Sequence, residues 1–177
     1  ELSSMFEGCS SLQNLDGLKE WKFYNKDNNQ KHTNDFSNMF KGCSSLKNLD
    51  GLKEWNISGN KELSNNFSNM FEGCSSLQGL DGLKDWKVSG TKYSEYKGES
   101  NGESQYNYYY YYCCFSHMFE GCSSLQNLDG IKDWNYNSAC YDNKGLEGMF
   151  KNCISLQDLN GLTKWNVHYC YNFTDMF

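Results

Sequence analysis

Apolar residues along this chain do not form helix-length stripes or alternating strand-length runs. They fall into short clusters that return in one fixed order. Residues 5–21, "MFEGCSSLQNLDGLKEW", carry Met5, Phe6, Cys9, Leu12, Leu15, Leu18 and Trp21, and four close copies follow at 39–55, 70–86, 118–134 and 149–165. The three leucines recur in every copy, with Ile131 replacing the third one once. A sixth copy starts at Met176. From each Met to its Trp the distance is always 16 residues, whereas the arcs from Trp to the next Met run 18, 15, 32, 15 and 11 residues. A rigid block followed by an elastic arc is the pattern of units that stack on their neighbours and loop extra residues out on one side.

The polar positions in the block read as backbone mechanics. The Leu-x-x-Leu stretch predicts a short strand, stacked copies forming a parallel ladder at about 4.8 Å spacing. Gly17, Gly51, Gly82, Gly130 and Gly161 follow Asp or Asn, which predicts turns with positive φ, the Asp capping its own turn. The residue before the block cysteine is Gly8, Gly42, Gly73, Gly121 and then Asn152, the substitution pattern of a left-handed residue. Segments such as "FSNMF" and "NFTDMF" are long enough for one helical turn and no more. The expected fold is therefore a single leucine-rich-repeat-like solenoid over residues 1–177. It has a parallel β ladder, short helical turns and variable loops on one side.

The block followed by "NFSNMF" resembles the BspA-like leucine-rich repeat of bacterial and protist surface proteins. Its pattern is Met-Phe-x-x-Cys-x-Ser-Leu-x-x-Leu-Asp, then Trp, then Met-Phe. The last unit is closest, with eleven residues from Trp165 to Met176. "LDGLKEW" carries one more residue between Leu and Trp than the common form, and the long Tyr-rich insertion at 87–117 is foreign to the pattern. The resemblance implies a secreted or surface-anchored protein of adhesion and cell contact, and it carries over no catalytic residue.

Composition adjusts this picture only slightly. Leu, Ile, Val and Phe make up about 19% of the chain, a level that flags disorder. Tyr, Cys, Met and Trp at fixed repeat positions supply the missing core. A net charge of −6 with mixed signs offers no basic stripe for nucleic acid. No apolar run reaches membrane-spanning length. Neither end shows a polar capping unit, so the chain is expected either to belong to a longer repeat protein or to stack head to tail into a fibre.

Candidate chemistry is sparse. Cys9, Cys43, Cys74, Cys122 and Cys153 form a frame column. Parallel side chains about 4.8 Å apart suit a disulfide poorly, because its Cβ atoms prefer about 3.8 Å. The expected state is a reduced, buried filler. Cys113, Cys114, Cys140 and Cys170 lie in the arcs, and outside the cell at least one bridge is expected among them. The pairs in reach are Cys140–Cys170, or Cys113 or Cys114 with Cys140. A metal site with His117 is the alternative. The column Asp16, Asp50, Asp81 and Asp129 raises calcium, but turn formation explains it, so no cofactor or metal is expected.

"QYNYYYYYCCF" places Tyr106, Tyr108, Tyr109, Tyr110, Tyr111 and Tyr112 on a strand with tyrosines on both faces. It serves either as a contact surface for a protein or glycan or as a cover for the flank. Sequons stand at Asn56, Asn66 and Asn172. His32, His117 and His168 share no frame position and no nucleophile–base set stands out, so an enzyme is not expected. The functional expectation is a non-catalytic extracellular or cell-surface structural or adhesion protein, the alternative a receptor or lectin-like module. Its partner is a protein, its own kind included, or a glycan, with no nucleic acid.

Overall fold

The computed structural model describes residues 2–23, 33–57, 64–86, 88, 91–100, 103–111, 113–134, 145–167, 170 and 172–177. It is a repeat-built, β-rich arrangement of short strands and isolated 3-10 turns, with no α-helix among the described residues. Strands β1 (Thr33–Asp35), β2 (Ser64–Asn66) and β5 (Cys113–Cys114) form a parallel sheet in the order β1-β2-β5. Asn34 pairs with Asn65, which pairs with Cys113. Strands β3 (Thr91–Ser100) and β4 (Glu103–Tyr111) form a separate antiparallel pair.

The strands of the parallel ladder thus lie just before Met39, Met70 and Met118. No described residue of Leu-x-x-Leu is in a strand, although Lys47, Gln78, Gln126 and Gln157 there each donate an amide to the preceding unit at 3.1–3.3 Å. The ladder runs on past the strands. Phe36, Asn38, Phe40 and Gly42 donate their N–H groups to Asn66, Ser68, Met70 and Glu72 of the next unit at 2.7–3.0 Å. The same positions of the following unit (Phe67, Asn69, Phe71, Gly73) repeat the pattern at 2.7–2.9 Å. Every second amide therefore points at a neighbouring unit, and Met39, Lys41 and Cys43 close local turns onto Phe36, Asn38 and Phe40.

That alternation explains why the expected helical turns do not form. A left-handed residue recurs every four positions and resets the chain. Asn38 and Asn69 have φ of 57° and 58°, and Gly42 and Gly73 have φ of 74° and 73°. Asn152, in the Gly place of the fifth block, has φ 62°, as its substitution pattern predicts.

The invariant Gly after Asp has a different reason from the one expected. It lies inside 3-10 turns (Asp16–Leu18, Asp50–Leu52, Asp81–Leu83, Asp129–Ile131, Asn160–Leu162) and is not among the positive-φ residues. A Cβ at Gly51 would fall 1.9 Å from the carbonyl oxygen of Leu15 in the preceding unit. Glycine is required because backbone passes directly over backbone.

Capping also differs. Asp does not cap its own turn; its amide donates to the side-chain oxygen two residues earlier. Asn14 serves Asp16, Asn48 serves Asp50, Asn127 serves Asp129 and Asp158 serves Asn160, at 2.9–3.2 Å. The third copy has Gly79 there, with open space around it. Gly79→Asn is expected to install the missing cap and stabilise the protein by about 0.5–1 kcal/mol. A urea titration checks this, and a midpoint at or below wild type counts against it.

Side chains stack in columns along the same axis. Phe40, Phe71, Phe119 and Phe150 lie parallel at 5.6–5.7 Å, and Trp21, Trp55, Trp86, Trp134 and Trp165 at 6.2–6.4 Å. Each indole also bonds backwards. Trp55, Trp86, Trp134 and Trp165 donate Nε1–H to the carbonyls of Leu18, Leu52, Leu83 and Ile131 at 2.9–3.1 Å. This satisfies a buried donor and fixes register in one step. The long arc after Trp86 leaves the stack undisturbed, since Trp86 and Trp134 remain 4° from parallel.

Candidate functional site

The frame cysteines form the expected column. The thiols of Cys43, Cys74, Cys122 and Cys153 each donate to the carbonyl of a Phe in the preceding unit, namely Phe6, Phe40, Phe71 and Phe119, at 3.2–3.3 Å. All four are buried, while Cys9 is exposed. Burial pushes the Cys43 thiol up to about 11, the neighbouring Cys9 adding to it, and pushes Cys153 to about 12. Cys74 and Cys122 are raised further, again mainly by burial and then by neighbouring column thiols. Protonated, buried thiols are poor nucleophiles. Under native, reducing conditions iodoacetamide is expected to label Cys9 at once and to reach Cys43, Cys74 and Cys122 only after unfolding. Peptide mapping of early time points checks this, and equal labelling of Cys74 and Cys9 would refute the buried column.

Among the arc cysteines, Cys113 and Cys170 are buried and Cys114 is half-buried. Cys140 lies outside the described residues. The Cys114 sulfur accepts from Ser68 Oγ at 2.9 Å and lies 3.5 Å from Ser116 Oγ. No disulfide joins two described cysteines, so the expected bridges through Cys140 stay with the undescribed arc.

The Asp column turns outward. Asp16 and Asp50 form exposed ion pairs with Lys19 and Lys53 at 2.8 Å. Such solvent-screened surface pairs contribute little to stability. Among the described residues, no group of three or more His, Cys, Asp or Glu side chains is arranged to hold a metal ion.

The sequons show a fold role. Asn66 Oδ1 accepts from the Ser68 amide at 3.1 Å and its hydroxyl at 2.7 Å, and Asn172 Oδ1 accepts from the Thr174 amide at 2.9 Å. Asp35, which makes no sequon, accepts from the Ser37 amide in the same way at 3.0 Å. The Asn/Asp-Phe-Ser/Thr pattern is thus an Asx turn entering the ladder. Asn56 is exposed.

His117 is the residue that sequence reasoning misplaced. It occupies the left-handed position before Met118 (φ 56°), the frame site held elsewhere by Asn38, Asn69 and Asp175. Its Nδ1 lies 2.7 Å from Glu120 Oε2 and its Nε2 4.0 Å from Glu147 Oε1, which is itself tied to Asn172. The ring lies over Gly148, where a Cβ would fall 2.3 Å from Nδ1. The signal was available in the run Ser4, Asn38, Asn69, His117, Gly148, Asp175, rich in residues that tolerate positive φ. His32 and His168 lie outside the described residues.

The tyrosine stretch is one arm of the β3–β4 hairpin. Tyr96 pairs with Tyr106 and Tyr93 with Tyr109. Tyr96 and Tyr106 are 54% and 46% exposed, their rings edge to face at 5.6 Å. Tyr108, Tyr110 and Tyr111 stand opposite Ser94, Lys92 and Thr91, and Tyr112 lies outside the described residues.

Apolar surface gathers at the two end units as well. Met5 is 52% exposed. A groove of about 640 Å³ is lined by Phe150, Cys153, Ile154, Leu156, Leu159 and Phe177, and Ile154 there is 83% exposed.

No helix among the described residues is long and apolar enough to cross a membrane. No curated protein and no solved structure matches the chain. One family model does, that described as "Mycoplasma protein of unknown function, DUF285", over residues 1–97 and 113–177, passing over only the distal part of the hairpin. With both the repeat frame and its flanking arcs inside those limits, the chain belongs to the DUF285 family.

Proposed function

We propose that this chain is a non-catalytic repeat protein of the BspA-like, leucine-rich-repeat kind, a solenoid that serves a structural or adhesive role outside the cell or on its surface. The observation that carries the reading is that the frame is spent on its neighbours. From the second block on, each indole and frame thiol bonds to the preceding unit, alternate amides bond to the next, and the Phe and Trp rings stack on their counterparts. The Asp positions of the frame are left to exposed short-range ion pairs such as Asp16–Lys19 and Asp50–Lys53. The frame thiols sit deep and protonated, which suits filler rather than chemistry.

In this reading copies of the frame stack head to tail into a fibre. A second copy laid head to tail would present Trp21 to the carbonyl of Leu162, as the interior indoles bond the unit before them, and would have to displace Phe177, which stacks on Phe150 at 5.7 Å. A heterologous contact of this kind does not close on itself and grows a filament. Negative-stain imaging of the purified chain tests this: uniform fibres are expected, and isolated short rods at high concentration would overturn the filament.

The exposed Tyr96–Tyr106 pair favours a second reading, a receptor or lectin-like module that engages a protein or glycan through the hairpin. Isolated rods with measurable glycan affinity, lost on Tyr96→Ala, would favour it. For location, mass spectrometry of the native protein before and after reduction is expected to show at least one disulfide through Cys140. Nine reduced thiols would count against an extracellular site.

A further inference from the structure

The hairpin carries an asymmetry that the stack does not explain. Strand β3 is guarded against edge pairing. It holds Lys92, Glu95, Lys97 and Glu99, and its register shifts between Tyr96 and Gly98. Charges and bulges are the devices that keep edge strands from pairing with other chains. Strand β4 has no such bulge and a single charge, Glu103, at its start. From Ser104 to Tyr111 it reads "SQYNYYYY", eight residues without Lys, Asp, Glu or Pro and rich in β-favouring tyrosine. Among the described residues the sheet holds these two strands and no third, so the outer edge of β4 bonds to no described strand. A two-stranded ribbon is marginal in water, and three or more strands give it stability of its own.

The element is also separable from the frame. The family model passes over residues 98–112. Removing those fifteen residues from the 32-residue arc leaves 17, inside the 15 to 18 residues of three of the other arcs. The stack closes beneath the hairpin regardless, Phe67 donating to Cys114 at 2.8 Å.

We infer that β4 is a lateral self-association edge, whose occupant is the β4 strand of a second copy. Antiparallel pairing of two such strands is two-fold symmetric and closed, so it makes a dimer with a four-stranded sheet, β3-β4-β4-β3. No charge faces a like charge along the new ladder, because the strand has none between Ser104 and Tyr111. The guarded β3 strands lie outermost and stop further growth. This contact is independent of head-to-tail stacking, which uses the end units.

Size-exclusion chromatography with light scattering, at tens of micromolar chain, tests it with two variants. The wild-type chain is expected to run at twice its chain mass, or as paired filaments if stacking also occurs. The double substitution Asn107→Lys with Tyr109→Lys sets like charges around the midpoint of both β4 strands and is expected to abolish the pairing. Deletion of residues 98–112 is expected to abolish it too, with the thermal midpoint of the stack unchanged. A wild-type chain without lateral pairing overturns the inference, as does pairing that survives the deletion or the lysine variant. Fibres that persist unpaired in the deletion variant leave the stacking reading intact while confirming the lateral one, so the two fail separately.

Discussion

Gly82→Ala is expected to cost more than about 4 kcal/mol and to lower the thermal midpoint by roughly 10 °C or more. The methyl group would lie 1.9 Å from the Leu49 carbonyl oxygen, 2.2 Å from its carbon and 2.7 Å from its Cβ. Two of those three atoms are backbone, so no rotamer change relieves the overlap. The turn carrying Leu83 would have to lift off the preceding unit, and Leu83 is fully buried. The lift also draws Trp86 away from the Leu52 carbonyl it bonds at 3.0 Å. Gly79→Ala, three residues upstream, is the control. Nothing lies within 4 Å of its added methyl group, and it is expected to change stability by less than about 1 kcal/mol. Gly17→Ala provides a second control, because a Cβ there meets no atom of the chain within 4 Å. If thermal melts place Gly82→Ala beside these two, backbone-on-backbone stacking is wrong. A cost at Gly82 alone fixes the reason for the invariant glycine as contact rather than dihedral freedom.

This contrast marks where sequence reading held and where it failed. The frame was legible because stacking demands the same side chain at the same place in every unit. The constant Met-to-Trp distance therefore reported a parallel arrangement before any coordinate did. The left-handed residue ahead of each cysteine was legible because Gly exchanged only with Asn. The glycine after Asp was misread, since a close approach from another unit leaves the same trace as a positive φ. The ladder was misplaced for a related reason. Leu-x-x-Leu is apolar and eye-catching, whereas the bonded strands are polar triplets such as Thr33–Asp35 and Ser64–Asn66, with little hydrophobic pattern. Their function is hydrogen bonding to neighbours, which sequence records only through repeated Asx turns. At Asn66 and Asn172 the sequon also marks a turn, because the Asx-turn pattern and the sugar-acceptor pattern share the same three residues. His117 was missed because its frame position tolerates five residue types whose common property is a dihedral angle.

Alkaline unfolding is expected to be steep and to trace to the thiol column. Cys43, Cys74, Cys122 and Cys153 all keep their protons above the ordinary thiol value of 9.0, chiefly because burial disfavours the thiolate. Below pH 9.0 these thiols are neutral in both folded and unfolded chains, and their contribution is fully present. As pH rises past that point the unfolded chain sheds protons that the folded chain retains. The unfolded state then binds fewer protons, so stability falls with rising pH. For Cys43 the loss runs from 9.0 to about 11 and for Cys153 to about 12, while Cys74 and Cys122 continue across the whole window. Each thiol sets a slope of up to about 1.4 kcal/mol per pH unit, and four together reach about 5. A domain near the lower end of the usual range of about 5–15 kcal/mol should therefore unfold within roughly two pH units above 9. Lysines and tyrosines titrate in the same range, so the column is isolated by comparison. Under reducing conditions, urea midpoints measured from pH 8 to 11 should fall less steeply for Cys74→Ala and Cys122→Ala than for wild type, each by about one proton's worth. Parallel profiles would show that the thiols ionise without unfolding the chain, and the column would then be more solvated than its geometry indicates.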